Sequence, residues 1–66
     1  MSEKGQWPEA VGLPAEQAKA IVLQDDPTIN IQILGENDPT TRDFRTNRVR
    51  IFTNGQGIVT SAPRRG

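Results

Sequence analysis

The chain contains no cysteine and no histidine, and its aromatic complement is one Trp and two Phe. Without cysteine there is no disulfide framework, thiolate nucleophile or thiolate metal site, and without histidine there is no imidazole ligand or imidazole base for a catalytic triad. No Gly-rich phosphate loop and no nucleophile–base pair stands in the sequence. No apolar run approaches the ~20 residues that span a bilayer, so no membrane partner is expected. The opening Met-Ser-Glu-Lys-Gly-Gln lacks the apolar stretch of a secretory signal, which reads as a soluble chain, either mature or cytosolic. With 66 residues, 33 % of them apolar, the chain has material for one domain, residues 1–66, around one small core. No internal repeat or low-complexity tract is visible.

What is present is a division of charge. The net charge is zero, yet residues 1–38 hold seven acids against Lys4 and Lys19, and residues 39–66 hold six arginines against Asp43 alone. Arginine offers a rigid planar fork of donors where lysine offers a mobile point charge, so an all-arginine half suggests shaped hydrogen bonding.

Residues 1–13, with Gly5, Pro8 and Gly12, read as an irregular arm anchored to the core by Trp7 and Val11. Pro14 stands where a proline opens a helix, and the good helix formers that follow carry it over 14–25, with Ala18, Ile21 and Val22 on one face. Pro27 sets its end near Asp25. Ile29, Ile31 and Ile33 alternate with Asn30 and Gln32, which predicts a half-buried strand over 29–34. A second alternation predicts a strand over 48–53, with Val49 and Ile51 facing one way and Arg48, Arg50 and Phe52 the other. The Asn54-Gly55 pair signals a tight turn, followed by a short returning edge strand over 58–61 that Pro63 ends. Asp25 and Asp26, ahead of a proline, read as turn residues rather than as an acid–base pair.

Between the two main strands lie about 13 residues, 35–47, with no helical pattern and no apolar cluster. Connections of this length in small domains tend to be functional. They permit parallel or antiparallel pairing of the flanking strands. Pro39 fixes one φ angle, and Thr40 and Thr41 favour extended backbone, so that Arg42 protrudes from an extended segment. That is the shape a trypsin-like protease accepts, because a carboxylate lies at the base of its specificity pocket. Arg48 and Arg50 project from one strand face, where an arching loop would meet both guanidinium groups. Asp43 and the carbonyl and hydroxyl groups near Thr41 are the partners within reach. A loop so tied would bind at low ordering cost and, once cut, would hold the new amine beside the acyl-enzyme for resynthesis.

These residues resemble the potato type I serine-protease inhibitor family. Trp7-Pro8-Glu9 with Val11-Gly12 is similar to the family's N-terminal motif, Glu16 to Leu23 to its helix, Pro39 to Arg45 to its binding loop, Asn47 to Phe52 to its arginine-bearing strand, and Pro63-Arg64-Arg65-Gly66 to its ending. The most specific part is Thr-X-Asp-X-Arg-X-Asn-Arg-Val-Arg from Thr41 to Arg50. The resemblance implies an α+β fold with one helix on a small mixed sheet whose two main strands are parallel and joined by an extended inhibitory loop. It implies that Arg42 enters the specificity pocket and that Arg42–Asp43 is the reactive bond. Pro39, Thr40, Thr41, Phe44 and Arg45 then complete the protease-binding loop, while Arg48 and Arg50 support it. It further implies an extracellular, vacuolar or storage compartment and makes subtilisin-like enzymes a second target; charge pairing of Arg42 with the pocket carboxylate puts trypsin-like enzymes first, and a monomer without metal or cofactor is expected. Four positions depart from the family pattern. Asn37 replaces a glycine and is expected to tolerate left-handed backbone, Pro14 replaces a Ser cap at a cost of ~1 kcal/mol, Thr40 replaces a common Val, and Thr46 stands where some members carry Cys.

Other readings compete. The usual meaning of a charge run such as Arg42 to Arg50 is a solvated basic face; an interaction module and a phosphate-tracking nucleic-acid surface are lesser alternatives. Zero net charge, a single aromatic in the run and Asp43 within it argue against nucleic acid.

Overall fold

Proline and tryptophan set the first turns of the chain, as seen in a computed structural model that describes residues 5–66. The first four residues of the arm expected over 1–13 lie outside the described residues. Pro8–Ala10 form a single 3-10 turn. Side chains three apart eclipse in such a turn, so Trp7 and Ala10 share its inner face and are fully buried. Val11, expected as an anchor, is instead turned outward and 46 % exposed; Ala10 takes its place. The Trp7 indole N–H donates to Asp25 Oδ2 at 2.6 Å, which ties the arm to the far end of the helix.

Helix α1 runs over Ala15–Asp25, with Pro14 at the N-cap position rather than inside the helix. The Pro14 ring sets a helical φ of −59°, but ψ is 147° because the residue bridges to Ile58 and Ala15 N–H donates to the Gly57 carbonyl. The Pro14 carbonyl accepts from the amides of Gln17 and Ala18. At the other end Pro27 holds Asp26 in extended backbone and the helix stops. Ala18 and Val22 are buried, and Ile21 and Leu23 pack against the core from its edge.

Strands β1 (Asn30–Gly35), β2 (Arg48–Thr53) and β3 (Arg64–Arg65) form a mixed sheet in the order β1-β2-β3. β1 and β2 are parallel, in a register that runs from Asn30 opposite Arg48 to Gly35 opposite Thr53. β3 is antiparallel to β2. β1 lies one residue later than the span 29–34, with Ile29 buried just ahead of it. Its isoleucines are not equally buried: exposure rises from Ile29 to Ile33, which is 42 % exposed, because β1 is an edge strand and α1 packs over β2. Val49 and Ile51 of the central strand are fully buried under α1 and Trp7.

The edge strand expected over 58–61 does not form. The Asn54 side-chain oxygen accepts from the amides of Gln56 and Ile58, and Gly57 adopts a φ of 77°. Ile58 and Val59 then make one bridge each, to Pro14 and to Thr53, so two partners share the segment and no ladder extends. Pro63 is buried and leads into β3 instead of terminating a strand. Among the described residues no helix is long and apolar enough to cross a membrane.

Trp7 is the largest side chain in this core. Trp7→Ala should cost ~3–5 kcal/mol in urea denaturation, comparable to the whole stability of a domain this size, whereas Trp7→Phe, which loses the bond to Asp25, should cost ~1–3 kcal/mol and stay folded.

Candidate functional site

Parallel pairing makes the connection between β1 and β2 travel back along the sheet. A six-residue strand measures ~17–20 Å, and residues 36–47 extend to about 40 Å, so the return has slack for an arch. Its entry is a closed turn: Gly35 N–H donates to Asp38 Oδ2 at 2.8 Å, Asp38 N–H to the Gly35 carbonyl at 3.0 Å, and Glu36 N–H to the Thr53 carbonyl. Asn37 is not left-handed, since every described residue with positive φ is a glycine. The Asp38 carboxylate closes the turn by capping Gly35, and no left-handed residue is needed.

Arg48 and Arg50 stand on the face of β2 opposite Val49 and Ile51, beneath the arch. Arg50 Nη1 donates to the Thr41 carbonyl at 3.1 Å and Nη2 to the Thr41 hydroxyl at 2.6 Å. Arg48 Nη2 donates to the Asp43 carbonyl at 3.0 Å and Nη1 to Asp43 Oδ2 at 3.2 Å. The side chains of Arg48 and Arg50 are only 9 % and 16 % exposed, so these bonds are less weakened by water than pairs on the open surface. Both sides of the Arg42–Asp43 peptide bond are thereby tied to one strand.

Asp43 is the electrostatic hub. Its carboxylate accepts from the Thr41 hydroxyl, from Arg45 Nε at 2.8 Å and from Arg48, and Arg50 Nη2 lies 3.8 Å away. The Thr41 hydroxyl, and then Arg45 and Arg48, hold this carboxyl well below the ordinary value of 3.8. The Thr41 hydroxyl donates to the Asp43 carboxylate while accepting from Arg50 Nη2, so the residues before and after Arg42 are also bonded to each other.

Arg42 itself is exposed, and among the described residues its guanidinium has no hydrogen-bond or ion-pair partner. Thr40, Pro39 and Arg45 are exposed along the same arch, and Phe44 is 72 % exposed beside Gly66. Among the described residues the arrangement presents one cationic side chain without a partner, on a backbone fixed on either side. No group of three or more Asp or Glu among the described residues could hold a metal ion.

Two contacts from the last residues of the chain reach the loop and its arginines. The Gly66 carbonyl accepts from Arg48 Nε at 2.8 Å and aims that guanidinium at Asp43; as a backbone group it leaves no mark in residue type. Arg65 reaches the Thr46 carbonyl at 3.0 Å. Its position within an arginine pair was visible, but the partner lies across the fold.

The model of the potato inhibitor I family matches residues 1–66. The chain is 48 % identical over 63 residues to the inhibitor of trypsin and Hageman factor from Cucurbita maxima, covering 96 % of this chain and 93 % of that protein. It is 49 % identical over 59 residues to the wound-induced proteinase inhibitor 1 of Solanum peruvianum, covering 88 % of this chain but only 53 % of that protein, so it spans about half of that relative. It is 44 % identical over 63 residues to a chymotrypsin inhibitor from Lumbricus terrestris, covering 96 % of this chain and 73 % of that protein. The crystal structure of a bitter gourd trypsin inhibitor superposes with a TM-score of 0.91 at 35 % identity, covering 96 % of this chain and 93 % of that one. These relatives are proteinase inhibitors and not enzymes, and with one helix, a three-stranded mixed sheet and no disulfide this chain belongs to the potato inhibitor I family.

Proposed function

We propose that the chain is a substrate-like, tight-binding inhibitor of trypsin-like serine endopeptidases, with Arg42–Asp43 as its reactive bond. The observation that carries this reading is the contrast at the crest of the loop: the Thr41 and Asp43 carbonyls are held by Arg50 and Arg48, and the Arg42 guanidinium between them is exposed and has no partner among the described residues. A pocket with a carboxylate at its base selects such a side chain by charge pairing. Pro39, Thr40, Thr41, Phe44 and Arg45 supply the neighbouring contacts, in an interface of standard size, ~1,600 Å² in all. Subtilisin-like enzymes, which favour a large apolar residue at this position, rank second as targets.

Inhibition follows from the tethering. The enzyme's serine oxygen attacks the Arg42 carbonyl, the bond to Asp43 nitrogen breaks, and the nitrogen leaves with the proton delivered by the enzyme's base. In a mobile loop the new amine would diffuse away and water would take its place. Here Arg48 grips Asp43 through both its carbonyl and its carboxylate, so the amine stays beside the acyl group and re-forms the bond. One inhibitor chain serves one protease, and because the loop is already ordered, little entropy is lost on binding.

Titration against trypsin, chymotrypsin and subtilisin, with mass analysis of the nicked product, tests the assignment: stoichiometric loss of trypsin activity and a cut between Arg42 and Asp43 are expected, and a cut elsewhere refutes the site. Arg42→Ala should weaken trypsin inhibition by ~2 kcal/mol or more, the scale of a hot spot, and an unchanged inhibition constant would remove Arg42 from the contact. Arg48→Ala and Arg50→Ala should remain folded yet be cleaved faster after Arg42 than the parent; equal resistance in both would refute the tethering. Because the Asp43 carboxyl is depressed in the folded protein, its contribution is complete above about 3.8 and is lost as the pH falls through the lower folded value. NMR order parameters of Thr41–Arg45 should therefore hold constant between about pH 5 and 8 and drop only in stronger acid, and Asp43→Asn should abolish that acid-dependent drop.

A further inference from the structure

The adjacent arginines of β3 have different surroundings. Arg64 lies opposite Arg50 in the sheet and is exposed. Arg65 lies opposite Val49, so alternation turns its side chain to the core side of the sheet, where it is 17 % exposed. Its guanidinium carbon lies 5.6 Å from the centroid of the Trp7 ring, a cation–π distance. Arg65 Nη1 donates to Asp26 Oδ2 at 3.2 Å and to the Thr46 carbonyl at 3.0 Å. Asp26 is itself held by the amide and hydroxyl of Thr28, so the carboxylate that aims Arg65 is fixed at the end of α1.

Thr46 belongs to the segment that leads from the reactive bond into β2, and the neighbouring carbonyls there are also engaged. The Arg45 carbonyl accepts from Arg48 N–H and the Asn47 carbonyl from Asn30 N–H. Arg45 does grip Asp43, but it rides on the same segment and cannot anchor that segment to the scaffold. Arg65 comes from a different strand and is held by the helix end and the buried indole.

We propose that Arg65 is a third positioning residue of the inhibitory loop: by holding the Thr46 carbonyl from a guanidinium fixed between Asp26 and Trp7, it locks the exit of the loop and couples it to the core. The proposal deepens the protease-inhibitor reading of the same loop and rests on it. A lysine could not serve equally, since its ammonium lacks the planar group that stacks on the indole while directing one nitrogen at two acceptors.

The test pairs a readout on the free protein with one on the complex. Arg65→Met keeps the apolar stem over Trp7 and removes the donors; Asp26→Ala removes the carboxylate that aims them. In the free protein, backbone order parameters at Phe44–Asn47 should start near the rigid value of ~0.85 and fall in Arg65→Met, and by a smaller amount in Asp26→Ala, while those of Val49 and Ile51 hold. With trypsin, cleavage after Arg42 should quicken roughly tenfold in Arg65→Met, the factor set by one charge-assisted hydrogen bond. Order parameters at 44–47 that match the parent in both variants, or that fall equally at Val49 and Ile51, overturn the proposal, as does an unchanged cleavage rate. If Arg65→Met does not fold, Asp26→Ala decides by the same two measurements. A parent protein that inhibits no trypsin-like enzyme refutes the inhibitor reading, and the order parameters still decide whether Arg65 positions the loop.

Discussion

Parallel pairing of β1 with β2 is the constraint from which the site descends. Two neighbouring strands that run the same way leave their connection at the wrong end of the sheet, and the chain must come back over one face. In larger folds a helix makes that return and buries its own apolar stripe. Here residues 36–47 make it without a helix and with only Phe44 as a large apolar side chain, itself exposed. The loop therefore cannot be held by a hydrophobic core of its own, and it is held by hydrogen bonds from the strand beneath it.

That strand serves two structures at once. Successive side chains of β2 point to opposite faces, so Val49 and Ile51 close the core with Trp7, Ala18 and Val22 while Arg48 and Arg50 rise into the loop. Rigidity in the core is passed directly to the loop, because the arginines cannot shift along β2 without moving buried residues between them. In a chain with no cysteine, this alternation gives the loop a scaffold that a cross-link would otherwise have to supply.

The uneven distribution of charge follows from the same geometry. Arg45, Arg48 and Arg50 meet Asp43 within the loop and Arg65 meets Asp26 at the end of α1, and the forks of Arg50, Arg48 and Arg65 reach the carbonyls of Thr41, Asp43 and Thr46. Among the described residues Arg42 is the arginine of the loop with no such partner, and its freedom is meaningful because the residues on either side of it are held.

Residue order alone made several features legible. Alternation over Arg48–Thr53 separates an apolar face from an arginine face, Pro27 halts a helix of good formers, and a long connection with Pro39 and two threonines marks an extended, outward segment. Those are local properties, set by side-chain period and backbone sterics, and they need no knowledge of what lies across the fold. Spacing left the direction of strand pairing open, and only the resemblance to the family pointed to parallel strands. The tertiary structure alone decided that Ala10 and not Val11 faces the core, that 58–61 is divided between two partners, that Arg64–Arg65 forms the third strand, and that the Gly66 carbonyl and Arg65 join the supports of the loop. Each of these turns on a contact between residues distant in sequence or on a backbone group, and neither leaves a periodic trace in the chain.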